Sequence, residues 1–134
     1  MAMTPQEIEQ FVDDLYAATG VADWDTAAAM LTDDFVVTEA PGLPMAGEYH
    51  GTNALRDLYI DVMGMLDVAG LDRIQTTVGG DYAVTILEMR FADEALAPAQ
   101  LCELFRFRDG KCCEIRPYYF DPEPVRAAAA AKTE

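Results

Sequence analysis

Two carboxylates in this chain fall on strand faces that are otherwise apolar. In QLCELFRF, residues 100–107, every second residue gives Leu101, Glu103, Phe105 and Phe107, so one face is greasy apart from a single acid. In FVVTE, Phe35, Val37 and Glu39 share a face, and the acid ends the strand directly before APGLP. A charge among apolar groups is costly, so each acid must reach water, meet a cation or stay protonated. Glu103, in mid-strand, fits an ion pair with an arginine or a place in a cavity. Glu39, at the strand's rim, fits a solvated end or a second acid at a pocket mouth.

Two acids aimed into one apolar pocket would divide the work of proton transfer. The desolvated one stays neutral and donates a hydrogen bond to a substrate oxygen, while the one near the mouth stays ionised and accepts a proton. That suits chemistry next to a carbonyl and calls for no metal or cofactor. Tyr16, Tyr59 and Tyr119 are amphipathic candidates for the lining. His50, the lone histidine, precedes a helix and reads as a turn residue. The chain has no serine, PGLPMAG is not a phosphate loop, and the cysteines have no histidine near them in sequence.

These residues need elements to hold them. Thr4, Pro5 and Glu7 form a helix start, Ile8, Phe11, Val12 and Leu15 follow helical spacing, and Gly20 ends the run. A second, shorter helix enters at Asp23 with Trp24 as its anchor. FVVTEA reads as a strand and MAGEYH as a short second one. Thr52 or Asn53 caps a third helix that turns Leu55, Leu58, Tyr59, Val62 and Met63 inward. From residue 70 the period changes to two, giving four strands: DRIQTTV, DYAVTILEMRF, QLCELFRF and CCEIRPYYF. Ala83, Thr85, Leu87 and Met89 face inward. A three-residue RDG turn with Gly110 in a left-handed bulge would put Cys113, Ile115, Pro117 and Tyr119 on the face of Glu103, with no basic partner among them. Three helices followed by an antiparallel meander make an α+β plan.

The 134 residues, 51% of them hydrophobic, suffice for a single domain, placed here at 1–121, with 122–134 a low-complexity tail that is a frayed helix or disordered. Nine basic against 24 acidic residues leave a net charge of −15, which disfavours nucleic acid and anionic membranes as partners. MAMTPQEIEQ lacks signal-peptide regions and no run reaches membrane-spanning length, so a cytoplasmic protein is expected. Cys102, Cys112 and Cys113 are expected as reduced hydrophobes.

ADWDTAAAMLTDDFVVTEAPGLP, YHGTNALRDLY and ELFRFRDGKCCEIRPYYFDP resemble the nuclear transport factor 2-like superfamily, in its SnoaL-like polyketide cyclase and ketosteroid isomerase-like branches. The resemblance implies a cystatin-like cone: three N-terminal helices packed in a curved, antiparallel or mixed sheet that encloses a pocket. It also implies a homodimer across the outer sheet face, where Val84, Ile86, Leu104 and Tyr118 would form an apolar patch. On the isomerase pattern Glu39 corresponds to the base and Glu103 to a protonated acid of the oxyanion hole. Tyr59 corresponds to a tyrosine supporting the catalytic one. That catalytic position holds Leu15, with Tyr16 about 100° around the helix.

The expected function is therefore a cofactor-independent isomerase or cyclase acting on a small, largely apolar carbonyl compound. The catalytic set is Glu39 and Glu103 with Tyr16 or Tyr59. The substrate-binding set is Trp24, Val37, Leu55, Thr85, Leu87, Met89, Leu101, Phe105, Ile115, Pro117 and Tyr119. The alternatives are a non-catalytic binding module of the same fold, or a hydrolase or dehydratase in which an acid activates water.

Overall fold

Thr4 opens the first helix as its residue type requires. In the computed structural model, which describes residues 2–133, its hydroxyl accepts from the Glu7 backbone at 3.1 Å while the Glu7 carboxylate accepts from the Thr4 backbone at 2.8 Å. Met1 and Glu134, where the expected domain begins and the expected tail ends, lie outside the described residues. Helix α1 (Pro5–Gly20) buries Ile8, Val12, Leu15 and Ala18. Helix α2 (Trp24–Ala29) starts where the Asp23 carboxylate accepts from the Thr26 backbone at 3.2 Å. Helix α3 (Ala54–Met65) follows Asn53, which caps without a side-chain bond, and fully buries only Ala54.

Six strands form one sheet: β1 (Leu31–Glu39), β2 (Gly47–His50), β3 (Val68–Gly79), β4 (Tyr82–Phe91), β5 (Ala99–Arg108) and β6 (Lys111–Tyr119), in the order β2-β1-β6-β5-β4-β3. β1 runs parallel to β6 and the other neighbours are antiparallel. The sheet is curved and mixed, with the helices on its concave face, as the α+β cone requires. Phe35, Val37 and Glu39 are all buried, and so are Ala83, Thr85, Leu87 and Met89. No helix among the described residues is long and apolar enough to cross a membrane.

The β5–β6 hairpin corrects the expected turn. Asp109 (φ 55°) and Gly110 (φ 79°) are both left-handed, and Arg108 pairs with Lys111, which defines a two-residue turn of the type that matches strand twist. The extra residue sits further on. Phe107 faces Cys112 but Arg106 faces Glu114, so Cys113 forms the bulge, and both cysteines are buried as free thiols. One inserted residue shifts the face whether it lies in the turn or in the strand. Glu103 therefore still faces Pro117 on β6, and it faces Thr85 on β4. Neither neighbour is a base.

The tail, expected as a frayed helix or disordered, is helical. Residues Glu123–Thr133 form helix α4, docked through Val125 and Ala128 onto Leu43, Met45, Leu66 and Leu101. Arg126 Nε donates to the Gly42 carbonyl at 2.8 Å, and Lys132 Nζ donates to the Met63 carbonyl at 2.9 Å and meets Asp67 at 2.8 Å. Gly42 (φ 91°) leaves no room for a side chain beneath Arg126, whose Nη2 would lie 2.7 Å from an added Cβ. Alanine-rich composition hid this docking, because two buried residues one turn apart are enough to seat a short helix on an open apolar end. Val125 is fully buried, so Val125→Ala is expected to lower stability by about 1–3 kcal/mol. Urea denaturation midpoints check this, and an unchanged midpoint would return the tail to a frayed state.

Candidate active site

Between the concave sheet face and the helices lies a cavity of about 540 Å³. Two clusters of buried residues flank it: one gathers Leu15, Phe35, Val37, Phe105 and Ile115, the other Met45, Leu66, Leu87, Met89 and Leu101. Glu103 stands on β5 at their junction, with Leu101 of one cluster and Phe105 of the other as its neighbours on that strand face. The surface Glu103 keeps is turned to the cavity, which it lines.

The partner of Glu103 is a tyrosine. The Tyr16 hydroxyl, reaching from α1, donates to Glu103 Oε1, and its ring packs edge-on against Phe105 at 5.7 Å and 75°. One step around the helix from Leu15 is therefore enough to reach the acid, because the long phenol arm spans the offset. Burial pushes the Glu103 carboxyl above the usual range, with the Tyr16 bond opposing in part. Burial and then the Glu103 charge push the Tyr16 phenol upward.

Of the two settings expected for Glu39, the structure shows the one at the cavity. The acid is 4% exposed rather than solvated at a rim, and its Oε1 has no hydrogen-bond partner among the described residues. Burial, followed by the charge of Glu103, raises it from 4.5 to about 8. The segment after β1 is buried in part as well. Leu43 and Met45 fold back as buried side chains, with Met45 lining the cavity, and α4 clamps Gly42 behind them. Glu39 and Met45 thus line the same cavity, and the far terminus bonds the loop that carries Met45.

The remaining candidates divide. Trp24, Val37, Leu55, Leu87, Met89, Leu101, Phe105, Ile115 and Tyr119 line the cavity. Burial first, and then the charges of Glu39 and Glu103, raise the Tyr119 phenol, so it stands within electrostatic reach of both acids. Tyr59 lines the rim, 41% exposed, with its ring against Trp24 at 5.1 Å; among the described residues its hydroxyl makes no bond to Tyr16. Thr85 and Pro117 do not line the cavity. Thr85 is buried with its hydroxyl 2.9 Å from that of Thr76, and Pro117 is buried opposite Glu103. Both are short side chains that end below the floor. His50 is exposed on β2 beside Glu48 at 3.2 Å, away from the cavity. Strand and helix period gave no sign of Met45, which arrives through a loop, or of Arg73, which also lines the cavity. No group of three or more His, Cys, Asp or Glu side chains among the described residues could hold a metal ion.

The family model described as a SnoaL-like domain matches residues 12–115. A nuclear transport factor 2-like protein from Burkholderia xenovorans LB400 is similar at 22% identity over 95% of this chain and 98% of its own, with a TM-score of 0.79. A second such protein, from Burkholderia thailandensis E264, is similar at 20% identity over 94% and 98%, with a TM-score of 0.77. TerC, co-crystallized with polyporic acid, is similar at 17% identity over 95% and 99%, with a TM-score of 0.75. These likenesses are of fold. No curated protein matches the chain.

The raised Glu39 has a consequence for stability. Between its ordinary 4.5 and about 8, the folded chain keeps a proton that the unfolded chain releases, so stability falls as pH rises through that window and levels off above it. Glu39→Gln removes this dependence. The variant is expected to gain on the unaltered protein by on the order of 4 kcal/mol between pH 4 and pH 9. Urea midpoints across that range measure the difference, and a constant gap would contradict a raised Glu39.

Proposed function

The chain belongs to the SnoaL-like domain family of the nuclear transport factor 2-like superfamily, and from that premise we propose an acid–base enzyme of the isomerase or cyclase type. Its substrate is a small, largely apolar carbonyl compound held in the cavity. One observation carries this reading: an unpartnered, buried carboxyl, Glu39, faces the same apolar cavity as a second acid held by a tyrosine.

In the proposed reaction Glu39, once ionised, takes the proton from the carbon next to the carbonyl. Glu103, kept neutral by burial, donates to the oxygen as enolate charge develops there. Tyr16 acts through Glu103, fixing the rotamer and leaving the other carboxyl oxygen to face the substrate. Return of the proton from Glu39 to a different carbon completes an isomerisation; in a cyclisation the enolate carbon attacks a second carbonyl within the substrate, and the alkoxide that forms takes the proton back from Glu39. Trp24, Leu55 and Tyr59 close the rim side, and Leu87, Met89 and Ile115 form the sheet side.

A second reading, a binding module without turnover, also has an observation in its favour. With Glu39 raised to about 8, only about a tenth of it is ionised at pH 7, so the empty cavity presents donors more than a base. TerC, of similar fold, was co-crystallized with polyporic acid.

Deuterium uptake next to the carbonyl of apolar ketones, followed by NMR in heavy water, separates the two readings. Glu39→Gln and Glu103→Ala are each expected to slow uptake at least about a hundredfold, and kcat/KM is expected to rise with pH to a plateau above about 8. Ketones that bind without exchanging would leave only the binder, and exchange indifferent to both substitutions would end the acid–base reading.

The same reading includes a homodimer through the outer sheet face. Ile86 (40% exposed) and Tyr118 (52% exposed) stand there beside half-buried Val84 and Leu104, an apolar patch that a partner would cover. Sedimentation at micromolar concentration is expected to give a dimer, and Ile86→Asp a monomer. A monomeric unaltered protein would remove this part.

A further inference from the structure

Strand β3 sacrifices its hydrophobic pattern at one point. Thr76 and Val78 pair with the buried Thr85 and Ala83 and so face inward. Counting back by twos would turn Ile74 and Asp72 inward and leave Arg73 in solvent, which is what the Ile and Arg side chains themselves prefer. The structure does the opposite. Arg73 pairs with Leu87 and Gln75 with Ile86, so Ile74 is the extra residue of a bulge. Arg73 moves to the cavity face, and Ile74 is left 64% exposed.

The re-aimed guanidinium is held at the rim. Arg73 Nη1 lies 2.8 Å from Asp13 Oδ1 on α1, and its Cζ lies 4.7 Å from the centre of the Tyr16 ring, the ring whose hydroxyl bonds Glu103. Arg73 is the one Lys or Arg lining the cavity among the described residues. Asp13 takes one of its five N–H donors. A half-exposed ion pair with Asp13 contributes little, so the pair alone does not account for turning a cation inward. β3 is an edge strand, and a bulge blunts an edge against unwanted pairing, but that protection does not require any particular residue to face the cavity.

We propose that Arg73 determines specificity: the ligand is an apolar molecule with an anionic oxygen group, such as a carboxylate, that pairs with Arg73 at the rim. The charged end then lies beside the Tyr16–Glu103 pair, and the apolar body extends from it between α3 and the sheet. In a chain of net charge −15, a local cation offsets the repulsion that such a ligand would meet on approach. The inference rests on the cavity being the ligand site, and not on Glu39 being a base.

Two fluorescent probes test it: 1-anilinonaphthalene-8-sulfonate, and N-phenyl-1-naphthylamine, the same ring system without the sulfonate. Titrated at pH 7, Arg73→Met is expected to weaken the sulfonate at least about tenfold and to leave the neutral amine within about twofold. Retained amine binding also shows that the variant keeps its cavity. Asp13→Asn, which frees the guanidinium, is expected to tighten the sulfonate severalfold. Equal changes for both probes, or none for either, would overturn the proposal. So would loss of sulfonate binding in Ile86→Asp, which would put that probe on the outer face. If the neutral amine does not bind the unaltered protein, the cavity reading itself fails. If the amine binds and the sulfonate does not respond to Arg73, only this inference falls.

Discussion

The arrangement depends on keeping two carboxyl groups out of water within reach of one another's charge. Ionising either inside the cavity costs the hydration it lost, and ionising both adds their repulsion. The protein keeps protons there instead. Glu103 gains a tyrosine hydroxyl, while Glu39 has no partner among the described residues and is raised to about 8. An unpaired buried acid is a poor device for stability, and it is the observation on which the proposed acid–base role rests.

The cavity that both acids line is assembled from elements distant in sequence. Tyr16 reaches Glu103 across 87 positions. Met45, which lines the cavity with Glu39, sits in a loop tied to α4 through Gly42 and Arg126, 84 positions apart. Helix α3 stands apart from this scaffold. Its inward side chains are only half-buried because they face the cavity. A ligand filling that space would bury them, so binding affinity and the anchoring of α3 draw on the same apolar surface.

Curvature and site are likewise connected. The bulge at Cys113 restores Ile115 to the concave face, and the bulge at Ile74 brings Arg73 to it. Each inserts one residue, and each decides which side chain the cavity receives. A fold that carries many chemistries does so through such choices, since the scaffold is common and the lining is not.

Much of this is legible in the sequence. Capping residues mark α1 and α2, period two marks the four-strand run, and alternation by itself puts Glu103 and Glu39 on the apolar face that becomes the concave one. Alternation reports faces because successive strand residues must point opposite ways. It cannot report what lies across from a face. That Tyr16 and not an arginine meets Glu103, that Glu39 is buried rather than solvated, and that Thr85 and Pro117 are absent from the cavity lining are all matters of long-range contact and side-chain reach. The same holds for the docked α4, whose anchors Val125 and Ala128 are inconspicuous beside an alanine run. Where an extra residue breaks the period, as at Ile74, alternation points to the wrong side chain. There the local preference of isoleucine for the interior is overruled by the tertiary structure, which alone decides that the charge faces in.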